Sequence, residues 1–233
     1  MNKGSMSQTA RQKLKAVLRE LRKNYGPRRQ PARDEVVSAL IATILSQNTN
    51  RANSTAGFNE LIRKLPHWNQ VADATAAQVA KCIKVSGLSQ TKAQRIIRIL
   101  REIRREQGRI DLEFLRDFTP QKAYDYLMQF KGVGPKTAWC TLMFACGMQV
   151  FPVDTHIHRI AIRLGVLEAK ATAEAAHEKL ARLIDPADRY ALHVLLIEHG
   201  RRVCLARNPR CSRCFLLRYC PHGKQRMEQA MDV

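Results

Sequence analysis

The sequence predicts an all-α protein in two lobes, and three observations carry that prediction. Apolar residues recur at helical spacing along most of the chain, as in Val37, Leu40, Ile41 and Ile44 and again in Ala93, Ile96, Ile97, Leu100 and Ile103, while no stretch alternates with the period of a strand. Helix-start signals also recur: Asp34 before Glu35, Thr119-Pro120, Thr172 and Asp185-Pro186 each offer a capping oxygen or a preset φ. Finally, Arg22 to Arg33 is rich in Arg, Pro and Gly and reads as a crossing between lobes. The expectation is about ten helices joined by short loops, with one lobe over residues 29–150 and the other built from 7–28 plus 151–233. No strong internal repeat is present, although Gly87-Leu88-Ser89-Gln90-Thr91-Lys92-Ala93 faintly echoes Gly132-Val133-Gly134-Pro135-Lys136-Thr137-Ala138.

Among 233 residues, 40 Lys and Arg face 20 Asp and Glu, a formal charge of +20. Such an excess points to a polyanionic partner, either nucleic acid or an anionic membrane. No apolar run approaches the roughly 20 residues a spanning helix needs, and Met1 to Leu21 holds basic residues without an apolar core. Nucleic acid is therefore the expected partner, membrane is not, and a cytoplasmic, nucleoid-associated monomer is expected. Without a secretory signal, seven cysteines suggest thiols or metal ligands rather than disulfides. Cys82, Cys140 and Cys146 lie within apolar helical stretches and read as buried, inert thiols.

Phe130 to Ala138 lies between an amphipathic helix, Gln121 to Gln129, and an apolar one running to about Cys146. Gly132 and Gly134 permit a tight turn with positive φ, and Pro135 suits the first turn of the following helix. A helix-hairpin-helix results. Its free amides and helix dipole form an anion site suited to a DNA phosphate, held without reading sequence. Lys136 sits in the same first turn, where the positive dipole disfavours the ammonium form and favours a nucleophilic amine. A solvated or phosphate-binding lysine is the plainer alternative.

Eighteen positions later, Val153-Asp154-Thr155-His156 opens another helix, and Asp154 either caps it or serves chemistry. Near the C-terminus, Cys204, Cys211, Cys214 and Cys220 follow the spacing C-x6-C-x2-C-x5-C. Four thiolates at such spacing hold zinc or an iron-sulfur cluster. Arg201, Arg202, Arg207, Arg210, Arg213 and Arg218 crowd the same segment, a plausible clamp on a DNA backbone.

Together, the hairpin with its lysine, the Val-Asp-Thr-His segment and the cysteine spacing closely resemble the endonuclease III family of DNA glycosylases, from about Asp34 to Cys220. The resemblance implies a glycosylase and AP lyase of base excision repair acting on oxidised pyrimidines in double-stranded DNA, with abasic sites as a second substrate. By match, Lys136 is the nucleophile, Asp154 its assistant, and the four cysteines hold a [4Fe-4S] cluster. DNA contacts are implied for Gly132, Val133, Gly134 and Thr137 of the hairpin and for His156. Gln47, in Leu45-Ser46-Gln47-Asn48-Thr49-Asn50, and Leu88, after Gly87, match residues that fill the gap left by an extruded nucleotide. Without the resemblance, core packing is the reading for Leu88 and a helix-end hydrogen bond the reading for Gln47. Asn50 and Pro135 depart from the family's usual Asp and Arg. Thr43 stands where adenine glycosylases carry a catalytic Glu. A relative acting on mismatched or alkylated bases and a non-catalytic DNA-binding module are the competing readings.

Overall fold

The computed structural model describes residues 3–31 and 33–230, and every regular element among them is helical. Twelve α-helices carry the fold: α1 (Lys3–Tyr25), α2 (Val36–Leu45), α3 (Arg51–Lys64), α4 (Trp68–Asp73), α5 (Ala76–Cys82), α6 (Ser89–Gln107), α7 (Pro120–Met128), α8 (Pro135–Phe144), α9 (Thr155–Arg163), α10 (Ala173–Leu183), α11 (Arg189–Arg202) and α12 (Pro221–Gln229). The chain divides into two compact units, residues 1–30 with 149–233 and residues 31–148.

In the unit spanning residues 31–148, α2 is apolar on nearly every side, and Val36, Val37, Leu40, Ile41, Ile44 and Leu45 are fully buried. A helix with no polar face must be central. Accordingly, α2 packs against α8, α3 and α6. α6 is amphipathic instead: Ala93, Ile96, Leu100 and Ile103 are buried, its arginines lie on the other side, and Gly108 ends it in the left-handed region. α7 and α8 form the expected hairpin, stapled by stacking of Tyr124 on Trp139 with centroids 4.3 Å apart.

In the other unit, Leu14, Val17, Leu18 and Leu21 of α1 share a core with Ile157 and Ile160 of α9, Leu180 of α10 and Leu192, Leu195 and Leu196 of α11. Burying each such side chain contributes about 1.5–3 kcal/mol.

The expected caps form at Thr119 and Thr172, whose side chains accept from Lys122 N and Ala175 N. Two others differ. The first-turn amide of Val36 donates to Glu113 Oε1 at 2.8 Å, a distant residue that displaces Asp34 from that role. Asp185 makes no capping bond, and Pro186–Asp188 forms only a 3-10 turn before α11. The cysteine segment is irregular as expected but leads into α12, whose polar sequence carries no apolar stripe; Cys220 Sγ caps it by accepting from Gly223 N at 3.3 Å. Among the described residues no helix is long and apolar enough to cross a membrane.

Candidate active site and cluster site

The hairpin turn runs from Gln129 to Gly134, closed by Val133 N donating to Phe130 O at 2.9 Å. Gly132 takes φ 99°, the region only glycine enters cheaply. Gly134 does not: it is the extended N-cap of α8, with φ −106°. The sequence expectation of positive φ therefore holds at Gly132 alone. What Gly134 supplies is room, since a Cβ there would meet nothing within 4 Å, so a ligand can approach the backbone. Pro135 occupies the first helical turn, where its missing N–H costs nothing. The first-turn amides of α8 have no intrahelical acceptor, which leaves them available to an anion. Lys136 follows, exposed and with no partner among the described residues. Val133 and Thr137 are buried, so only their backbones can meet a ligand.

α6 braces this turn. Arg98 Nη2 donates to Lys131 O at 2.7 Å, and the Arg95 side chain lies where a Gly132 Cβ would fall, 2.2 Å from its Nε. Arg95 Nη1 also donates to Gln47 Oε1 at 2.5 Å, while Gln47 Nε2 donates to Thr137 Oγ1 at 3.0 Å. Gln47 is thus joined to the hairpin rather than merely closing the end of α2. Asn50, the departure from Asp, accepts from Asn53 N at 2.8 Å as the N-cap of α3, a task Asn and Asp perform equally well.

Leu88 is not a core residue. It is 60% exposed and sits at φ 48° directly before α6, an unusual backbone for a branched apolar side chain. Beneath it lies a residue that reading the sequence missed: Lys92 is buried, and its ammonium donates to Leu45 O at 2.8 Å and Ser86 O at 2.7 Å.

Asp154 caps α9: its Oδ1 accepts from Ile157 N at 2.8 Å, and the residue is buried. Capping and a chemical role are compatible, since the bond fixes the carboxylate and engages one oxygen. The segment leading into it is clamped by three side chains that sequence inspection passed over. His177 Nδ1 donates to Phe151 O at 3.1 Å and its Nε2 accepts from Val153 N at 3.4 Å, His193 Nδ1 donates to Pro152 O at 2.9 Å, and Arg189 donates to Gln149 O. Burial lowers the His177 pKa, in keeping with a neutral ring that must accept at Nε2. His156, half-buried in the first turn of α9, accepts from Arg159 Nη2 at 3.1 Å on Nδ1. Burial lowers its pKa against the pull of Asp154, and the bond from Arg159 to Nδ1 leaves Nε2 to carry the proton of a neutral ring. Gly200 allows this close approach, because a Cβ there would lie 2.8 Å from the imidazole.

Cys204, Cys211, Cys214 and Cys220 line one pocket with Arg163, Val203 and Leu217. Among the described residues, no three His, Cys, Asp or Glu are arranged to hold a single metal ion. Donors ringing a hollow suit a four-iron core, in which each iron takes one thiolate. Arg163 Nη1 reaches Cys204 Sγ at 3.2 Å, and His199 Nε2 lies 3.6 Å from Cys214 Sγ, the kind of outer-shell hydrogen bonding that stabilises sulfur ligands. Burial pushes the Cys214 thiol up to about 11, so its thiolate is favoured only where iron takes it. The three remaining cysteines, Cys82, Cys140 and Cys146, are buried, and no disulfide forms among the described residues.

Residues 41–186 match the family model of the HhH-GPD superfamily base excision DNA repair protein, and residues 204–220 match the iron-sulfur binding domain of endonuclease III. The second match begins at Cys204 and ends at Cys220. Endonuclease III of Thermotoga maritima is 31% identical over 214 residues, 91% of this chain and 94% of that protein. Endonuclease III of Sulfolobus acidocaldarius is 32% identical over 189 residues, 80% of this chain and 82% of that one. A putative DNA glycosylase of Arabidopsis thaliana is 37% identical over 72% of this chain, which spans 57% of its length. Among solved structures, a non-covalent endonuclease III–DNA complex superposes with a TM-score of 0.80 at 26% identity, covering 94% of this chain and 98% of that one. The chain belongs to the HhH-GPD superfamily of base excision DNA repair proteins, as an endonuclease III-like DNA glycosylase with a [4Fe-4S] cluster.

Proposed function

We propose that the protein removes oxidised pyrimidines from double-stranded DNA and then cleaves the strand at the resulting abasic site, with Lys136 as nucleophile. The observation that carries this reading is the exposed, unpartnered Lys136 in the first turn of α8, beside amides that an anion can occupy. The Lys136 amine attacks C1′ as the glycosidic bond breaks and the base departs with a proton. An amine adduct collapses to a Schiff base, which acidifies C2′; loss of that proton expels the 3′ phosphate by β-elimination. Water then releases the enzyme. The Asp154 carboxylate, fixed by its bond to Ile157 N, stabilises positive charge on the sugar.

The duplex is held by the hairpin backbone at Gly132, Val133, Gly134 and Thr137, by His156, and by exposed arginines such as Arg201, Arg207 and Arg213. Gln47 and Leu88 occupy the gap when the damaged nucleotide leaves the stack, an arrangement supported by the exposure of Leu88. Cys204, Cys211, Cys214 and Cys220 hold the cluster, which when bound clips the segment that bears these arginines. The protein acts as a monomer.

Oligonucleotide duplexes bearing one lesion each provide the test. Oxidised pyrimidines are expected to be excised with strand cleavage; preference for mismatched thymine or alkylated bases would overturn the substrate assignment. Asp154→Asn should slow base removal by about 10² or more, as losing a positioned charge does, while a pre-formed abasic site is cleaved with less impairment. Equal loss on both substrates would contradict the role given to Asp154.

A further inference from the structure

Lys92 is only 2% exposed, yet no carboxylate among the described residues pairs with it; its ammonium donates instead to two backbone carbonyls. Burial, reinforced by Arg95, lowers its pKa. A buried cation in place of a packed apolar side chain sacrifices stability unless it does something an apolar group cannot. Its two acceptors show what that is. Leu45 ends α2, two residues before Gln47, and Ser86 immediately precedes Gly87 and Leu88. One ammonium therefore joins the two segments that carry the side chains proposed to fill the gap in the duplex.

A second observation points the same way. Leu88 holds a left-handed backbone at φ 48°, a conformation that persists only where the surroundings enforce it. In the sequence echo, the position matching Lys92 is Thr137, in the first turn of α8, and Thr137 receives the bond from Gln47 Nε2. The stretch Leu45 to Gln47 is thus gripped at both ends, by the first turn of α6 and by the first turn of α8.

We infer that Lys92 is a positioning residue for nucleotide extrusion, locking the Gln47 segment and the Leu88 turn into one register so that both side chains enter the duplex together. The inference rests on the proposed gap-filling role of Gln47 and Leu88. It assigns Lys92 no contact with DNA and no part in bond breaking.

The test uses the full-length, cluster-loaded protein under single-turnover conditions with enzyme in excess. The same lesion is presented either in a fully paired duplex or within an unpaired bubble, where extrusion is already accomplished. Lys92→Met should slow base removal about tenfold or more on paired DNA, where unstacking must be driven, and less than about twofold in the bubble. In a Gln47→Ala, Leu88→Ala background, adding Lys92→Met should cause no further loss on paired DNA, because the group acts through those two side chains. Lys92→Gln, whose carboxamide keeps two N–H donors, should recover part of the paired-duplex rate, and it takes over the comparison if Lys92→Met does not fold. Equal losses on paired and bubble substrates, or a full additive loss in the double-variant background, would make Lys92 a purely structural group and overturn the inference. If the Gln47→Ala, Leu88→Ala protein itself shows no paired-duplex defect, the gap-filling assignment fails first, an outcome the same data separate from failure of Lys92 alone.

Discussion

Two turns within residues 31–148 are built alike and present different chemistry. Each follows a short helix, α5 or α7, and passes through a glycine at positive φ, Gly87 at 70° or Gly132 at 99°. Each then enters a longer helix whose first turns bury an alanine, Ala93 or Ala138, and a polar residue, Lys92 or Thr137, that ties the turn to the end of α2. The divergence is in the exposed residue. One turn shows Leu88 to solvent and the other Lys136. The two are not equivalent positions: Leu88 stands opposite buried Val133 and Lys136 opposite exposed Thr91, so one backbone frame offers two stations at a helix entrance, one for the proposed wedge and one for the proposed nucleophile.

The largest expected effect follows from exchanging the reactive member. Lys136→Gln should abolish both strand cleavage and covalent trapping when borohydride is added during turnover, because no amine remains to form a reducible Schiff base. Affinity for an abasic duplex should stay within a few-fold, since the hairpin holds phosphate through backbone amides. Efficient trapping by this variant would mean that another amine is the nucleophile and that the second turn is only a second grip on DNA.

Leu88→Ala probes the other member. Leu88 is largely exposed, so little stability should be lost: thermal unfolding should shift by no more than the ~0.5 kcal/mol typical of surface changes. Base removal from paired DNA should nonetheless fall by about tenfold, corresponding to roughly 1.4 kcal/mol of lost help with unstacking. A large drop in melting temperature with an unchanged rate would return Leu88 to a packing role.

How much of this was legible in the sequence depended on whether the partner was near or far along the chain. The helices of residues 31–148 declared themselves through apolar period, and Thr119 and Thr172 through local capping chemistry. α2, by contrast, receives its cap from Glu113, 77 positions away, and no local rule could have found it. α12 was missed because a cysteine sulfur caps it, an acceptor that capping preferences do not include. Of the candidate site, Lys136, Asp154 and the cysteines were readable as motifs. Their supports were not: His177, His193 and Arg189 hold the approach to Asp154 from 24 to 41 residues away. Lys92 carries no motif of its own beyond the faint echo, and its burial depends on Leu45, 47 positions away.

The smallest effect separates the two glycines. Gly87 combines φ 70° with ψ 157°, a region essentially reserved for glycine, and a Cβ there meets nothing within 4 Å. Gly87→Ala should therefore cost backbone strain alone, about 1–3 kcal/mol. Gly132→Ala adds a steric demand, because Cδ and Nε of Arg95 lie 2.6 and 2.2 Å from the new methyl. Those atoms are in the middle of the side chain, so Arg95 must swing away and give up its bond to Gln47. Losing that bond is worth roughly 1 kcal/mol more, which in a chain of this size lowers the melting temperature by about 2–4 °C beyond the Gly87 variant. Arg95→Ala, introduced beforehand, should erase most of this excess and leave Gly132→Ala with only its strain. If the excess survives removal of Arg95, the second turn resists a methyl for some reason other than its brace from α6, and the two turns would differ in more than that brace.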